Sequence, residues 1–197
     1  MFAFVAAVFF LIITPGPGVL STAGVGSGFG FKAGSRYVLG LFLGTNLVAI
    51  AVVSGLAALV LADPRIRTIL FVLSFSYLAY LAFRIAFAGN RVAFIERARP
   101  PGVGGGLLLQ IVNPKAYAVN TALFTGFAFL PDSYALEVAI KFVIMNAIWI
   151  PIHFLWLMAG VTLHRLDLSE RSHSLINIGM ALSMLAVVAI AVIAQLR

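Results

Sequence analysis

The chain contains no cysteine, which removes disulfides, thiolate metal sites and thiol redox chemistry from consideration. Charge is scarce as well: 10% of the residues are Asp, Glu, Lys or Arg, against about 25% in soluble proteins. Acidic residues are the scarcest. The six present, Asp63, Glu96, Asp132, Glu137, Asp167 and Glu170, all fall in or beside the polar links between apolar runs. No carboxylate pair is left for glycosidase, protease or metal chemistry, so neither an enzyme nor a cofactor is expected. The glycine cluster near the N-terminus follows no strand and precedes no Gly-Lys-Ser/Thr, so nucleotide use is unsupported. Basic and aromatic residues do not interleave as they would on a nucleic-acid surface.

What is abundant is apolar. Hydrophobic residues make up 62% of the 197, and the net charge of +7 sits mainly in links, where it suits an anionic membrane surface. This composition predicts an all-α integral membrane protein, because the long apolar runs lack the alternation of a membrane barrel. With about 20 residues needed per helical span, spans are expected near 2–25, 37–61, 66–88, 107–130, 137–163 and 172–196. The N-terminus is apolar from Phe2, with no basic segment and no cleavage site, and reads as a span rather than a signal peptide. Gly26 to Lys32 and Asp63-Pro64-Arg65 read as links, Pro131-Asp132 closes the fourth span, and His164 to His173 forms the last link. The longest polar stretch divides one membrane domain into a first three-helix repeat (1–88), a cytoplasmic linker (89–106) and a second three-helix repeat (107–197).

Two of the six spans are interrupted. In the fourth, Asn113-Pro114-Lys115 places a good N-cap, then a proline suited to the first helical position, inside an apolar run from Gly106 to Leu130. The lysine that follows costs about 2.5–3.5 kcal/mol near mid-bilayer on insertion scales, which marks it as functional by default. The first span carries a second such start at Thr14-Pro15-Gly16-Pro17-Gly18. With Pro15 set over Pro114, Ser21-Thr22-Ala23 falls over Asn120-Thr121-Ala122. Three spans per half make the two repeats inverted, and a broken helix at the same place in each points to a transporter's binding site. Basic residues near span ends divide eight to four in favour of the links after spans one, three and five, which predicts both termini outside the cytoplasm.

Thr14-Pro15-Gly16-Pro17, the glycine-rich exit from that span, Asn113-Pro114-Lys115 and Trp149-x-Pro151 together resemble the LysE/RhtB family of amino-acid exporters. The resemblance covers nearly the whole chain and implies a bacterial inner-membrane carrier that moves amino acids or related metabolites outward. Its likeness to dimeric members leaves a homodimer open. Gly18 departs from it, since the family often has Asn after this motif.

Beside the resemblance stands the chemistry of the two breaks. Helix starts present unpaired amides and the positive end of a dipole, which bind carboxylates, and Lys115 adds a full charge. The guest expected there is the α-carboxylate of an amino acid, its ammonium accepted by carbonyls released just before Pro15 and Pro114. The candidate substrate-binding residues are Thr14, Pro15, Gly16, Pro17, Asn46, Asn113, Pro114, Lys115, Tyr117, Asn120 and Asn146. Snorkelling is the competing role for Lys115, and interhelical hydrogen bonding is that for Asn46, Asn120 and Asn146. His153 reads as a packing or proton-sensitive group. No carboxylate is expected inside a span, so neutral amino acids should be preferred over dibasic ones. An intramembrane enzyme or a non-transporting membrane subunit are the alternative functions.

Overall fold

The structure, a computed structural model, describes residues 1–86 and 99–165 and scattered helical positions between 171 and 186. The linker centred on 87–98 and most of the sixth expected span lie outside the described residues. Among those described, every regular element is a helix: α1 (Phe2–Ile13), α2 (Pro17–Val53), α3 (Leu56–Ala62), α4 (Pro64–Ala86), α5 (Gly102–Val112), α6 (Pro114–Gly126) and α7 (Tyr134–Arg165). Two, α2 and α7, are long and apolar enough by themselves to cross a membrane.

Both expected interruptions are present. α1 stops at Ile13 and helix resumes at Pro17; α5 stops at Val112 and resumes at Pro114. A proline opens each resumed helix, because the amide it lacks would have no partner there. By contrast, Pro151 sits inside α7 without ending it.

Three links differ from the sequence expectation. Gly26 to Lys32 is no loop: helix runs through it, and only Gly30, at φ 76° and ψ −177°, leaves helical geometry. One residue in a conformation open to glycine therefore does the work of a turn. The second span ends early, at Val53, where Gly55 in the left-handed region starts the short α3. At the other end, the glycines of Gly102 to Gly106 already belong to α5. Their lack of side chains serves close packing: a Cβ on Gly106 would land on the Tyr37 carbonyl of α2, and one on Gly40 on the Val103 carbonyl of α5. The contact made by Gly40 and Gly44 lies within one protomer.

α2 is the spine, packed along α5 on one side and α7 on the other. α7 presents one buried stripe at four-residue spacing: Glu137, Lys141, Met145, Trp149, His153, Leu157 and Val161. α1 matches it with Phe4, Val8 and Ile12. At the end of the molecule where α1 begins, the Phe4 ring meets Phe127 and Phe129, just beyond α6, at centroid distances of 6.0 and 5.8 Å.

Gly160 brings α7 so close to α2 that a Cβ would strike the Ala23 carbonyl. Gly160→Val is expected to abolish a monodisperse species in detergent, as read by size-exclusion chromatography. Gly104→Ala, where a Cβ meets nothing within 4 Å, should leave the elution profile unchanged.

Candidate functional site

The two breaks face a single cavity. It is lined by residues of α1, α2, α5, α6 and α7, with Thr14, Gly16, Gly18, Thr45, Gln110, Asn113, Lys115, Asn120 and His153 as its polar or backbone-rich part. Leu11, Ile12, Val19, Ala116, Val119, Leu123, Met145 and Trp149 form the apolar remainder. The void measures about 490 Å³ including its open mouth.

Lys115 ties the breaks together. From the first turn of α6 its ammonium donates to the carbonyl of Thr14 at 2.6 Å and, more weakly, to that of Pro15 at 3.4 Å. The carbonyls expected to receive a substrate's ammonium at the first break are therefore engaged by the protein's own lysine. Gly16 makes room for it, since a Cβ there would stand 2.7 Å from Lys115 Cδ and 2.9 Å from Nζ.

The two helix starts are not alike. Asn113 Oδ1 accepts from the Lys115 amide at 3.1 Å, and its backbone oxygen accepts from Ala116 at 3.0 Å. α6 is thus capped from within, as its Asn-Pro start predicts. α2 has Gly16 at the capping position and no side-chain cap. Gly18 and Val19, whose amides fall in its unpaired first turn, both line the cavity. The Lys115 ammonium and the start of α2 supply positive potential from opposite halves of the chain.

Acceptors lie deeper. Asn120, 2% exposed, donates Nδ2 to the Ala116 carbonyl at 2.8 Å. A carbonyl only accepts, so this bond fixes the amide's orientation and turns Oδ1 the other way. That oxygen is buried and has no partner, a state that costs about 1–3 kcal/mol when nothing fills it. His153 donates Nδ1–H to the Trp149 carbonyl at 3.0 Å, which leaves Nε2 as the acceptor of the neutral ring. The ring stacks on Trp149 at 3.5 Å between centroids. A Cβ on Gly18 would meet His153 Nε2 at 3.5 Å and Gln110 Nε2 at 3.8 Å, ordinary contacts, so Gly18 leaves usable space between them.

Of the residues selected from sequence, Thr14, Gly16, Asn113, Lys115 and Asn120 line the cavity. Pro15, Pro17 and Pro114 shape the breaks without lining it. Tyr117 donates its hydroxyl to the Ile111 carbonyl at 2.8 Å, satisfying the end of α5. Asn46 and Asn146 exchange a reciprocal pair of amide bonds at 3.1 and 2.9 Å that clamps α2 to α7. Each of Asn46→Ala and Asn146→Ala is expected to lower stability by on the order of 1 kcal/mol. The double variant should cost little more than either, read from thermal midpoints in detergent.

Sequence reasoning missed Gln110. It is 4% exposed, lines the cavity and accepts from Asn113 Nδ2 at 3.0 Å. A lone glutamine three residues before the break was the available signal.

It also misjudged Glu137, read as lying in or beside a polar link, and Lys141, one of the four basic residues near span ends on the outer side. Glu137 is 5% and Lys141 2% exposed, and they pair at 2.8 Å. Glu137 Oε2 accepts from the Phe129 and Leu130 amides, and Lys141 donates to the Phe124 carbonyl at 3.1 Å. The chain beyond α6 folds back over the first turns of α7, which buries a pair that its position in sequence places at the surface.

A family model for the LysE type translocator matches residues 9–195. Among curated proteins, the chain is 28% identical to the leucine efflux protein of Enterobacter sp. (strain 638) over 134 residues, 63% of this chain and 61% of that protein. It is 32% identical over 139 residues to the cysteine/O-acetylserine efflux protein of Salmonella choleraesuis (strain SC-B67), covering 69% of both. The match thus spans less than two thirds of the leucine efflux protein's length. No solved structure matches the chain.

Proposed function

The chain belongs to the LysE type translocator family, and on that premise we propose that it exports amino acids across the bacterial inner membrane as a secondary transporter. The observation that carries this reading is the cavity between the two breaks, with Lys115 extended from one break to the other. The substrate's carboxylate docks against the Lys115 ammonium and the uncapped amides that start α2. Two of the lysine's three donors are directed at the Thr14 and Pro15 carbonyls, so a third remains for the incoming anion.

The rest of the lining selects the side chain. Leu11, Ile12, Val119, Leu123 and Met145 offer an apolar wall, which suits the neutral amino acids suggested by the relatives' names over dibasic ones. Glu137 does not change this expectation. It lies outside the cavity lining, and both its oxygens are engaged by Lys141 and the two backbone amides.

In this reading, six spans form two inverted repeats, each with a broken helix, and alternating access rocks them about the cavity. The matched breaks and the packing of α1, α6 and α7 at one end support that arrangement. Both termini lie outside the cytoplasm. The burial of Lys141 removes it from the basic residues counted on the outer side, which sharpens the asymmetry. Single cysteines placed at Gly102 in one variant and at Asp132 in another should label oppositely in intact cells. Impermeant reagent should reach position 132 and not 102, and the reverse pattern would invert the topology.

Flux is the direct test of function. Proteoliposomes loaded with labelled leucine or cysteine should release label faster than protein-free vesicles. Equal release for every amino acid tried would reject the transporter reading in favour of a non-transporting membrane subunit.

A further inference from the structure

We infer that Asn120 Oδ1 is the receptor for the substrate's ammonium group, so that the cavity discriminates zwitterionic amino acids from carboxylates lacking the amine. The inference rests on the carboxylate reading above and adds the opposite end of the ligand.

A zwitterion held by Lys115 must bring a positive group into the same cavity, and a buried cation needs acceptors. The carbonyls of Thr14 and Pro15 are taken by Lys115. Asn113 Oδ1 caps the Lys115 amide, and Gln110 Oε1 accepts from Asn113. Among the cavity's acceptors His153 Nε2 and Asn120 Oδ1 remain, and of these Asn120 Oδ1 is the one left buried without a partner among the described residues. Its orientation is set by the bond from Nδ2 to the Ala116 carbonyl, so the oxygen cannot exchange places with the amine without losing that bond.

Geometry supports the pairing. Lys115 and Asn120 both line the cavity from α6, about 7.5 Å apart along its axis. A polar site built for a hydrogen-bonding group rejects the analogue that lacks it far more strongly than an apolar pocket rejects a missing methylene, because its buried partner is left unpaired. Asn120 is therefore a specificity-determining residue, distinct from Lys115, which faces the feature that both ligands share.

The test compares leucine with isocaproate, the same skeleton and carboxylate without the amine. Binding of each to the purified full-length protein is measured by ligand-dependent thermal stabilisation. The wild type should bind leucine at least about tenfold more tightly than isocaproate. In Asn120→Leu the ratio should fall towards one, chiefly through weaker leucine binding. Asn120→Ala, which removes the oxygen without adding bulk, should lose the preference likewise, and it serves as the second variant should the leucine substitution not fold. A leucine preference that persists undiminished in either variant would overturn the assignment. Equal binding of both ligands to the wild type overturns the ammonium contact alone, whereas no binding of either overturns the carboxylate reading with it.

Discussion

Lys115→Met is expected to reduce amino-acid efflux by at least about thirtyfold, the effect of removing one partner from a buried, hydrogen-bonded charge pair. Methionine keeps an unbranched apolar stem of similar length, so the wall that the lysine stem forms in the cavity persists. What disappears is the ammonium that binds the Thr14 carbonyl at 2.6 Å and that we propose receives the substrate's carboxylate. Lys115→Arg should recover only part of the flux. A planar fork has different geometry from a point charge, and the space beside Gly16 is already close, with a built Cβ falling 2.7 Å from the lysine stem. The measurement is initial efflux from proteoliposomes, with equal reconstitution and a monodisperse detergent profile as controls. Near-normal flux in Lys115→Met would assign the residue to tying the breaks together and remove it from substrate binding.

The same lysine marks the boundary of what the sequence discloses. Helix starts are local chemistry: Asn113-Pro114 and Pro15-Gly16-Pro17 declare themselves because capping and the missing proline amide depend only on neighbours. Both breaks were therefore legible, as were the all-helical class and the membrane setting. The partner of Lys115 was not, because Thr14 lies 101 residues away and only the packing of α1 against α6 brings them together. Glycine-rich segments misled for a related reason. Gly26 to Lys32 and Gly102 to Gly106 have the composition of loops, yet they are helical. Their small size is used against a neighbouring helix that no local pattern reveals. Asn46 and Asn146 were visible as polar residues at comparable places in the two halves. That they satisfy one another and stay out of the cavity follows from how α2 meets α7.

Glu137 and Lys141 carry a large expected effect on stability. A buried ion pair contributes little net stability, since desolvation offsets much of the attraction, but removing one member leaves an uncompensated charge and ranks among the costliest single substitutions. Lys141 is 2% exposed, with its ammonium 5.7 Å from the centres of both the Phe4 and Phe129 rings. In Glu137→Leu its remaining partners would be the Phe124 carbonyl and these ring faces. The Phe129 and Leu130 amides would lose their acceptor at the same time, releasing the chain that follows α6. Glu137→Leu is therefore expected to lower the thermal midpoint in detergent by at least about 5 °C. Adding Lys141→Met removes the stranded charge and supplies an adaptable apolar side chain, so the double variant should recover a substantial part of that loss, though not the two amide bonds. Thermal midpoints of wild type, both single variants and the double, collected in one detergent, complete the cycle. A double variant no more stable than Glu137→Leu would mean that the pair is not coupled, and that the carboxylate acts only by holding the chain beyond α6.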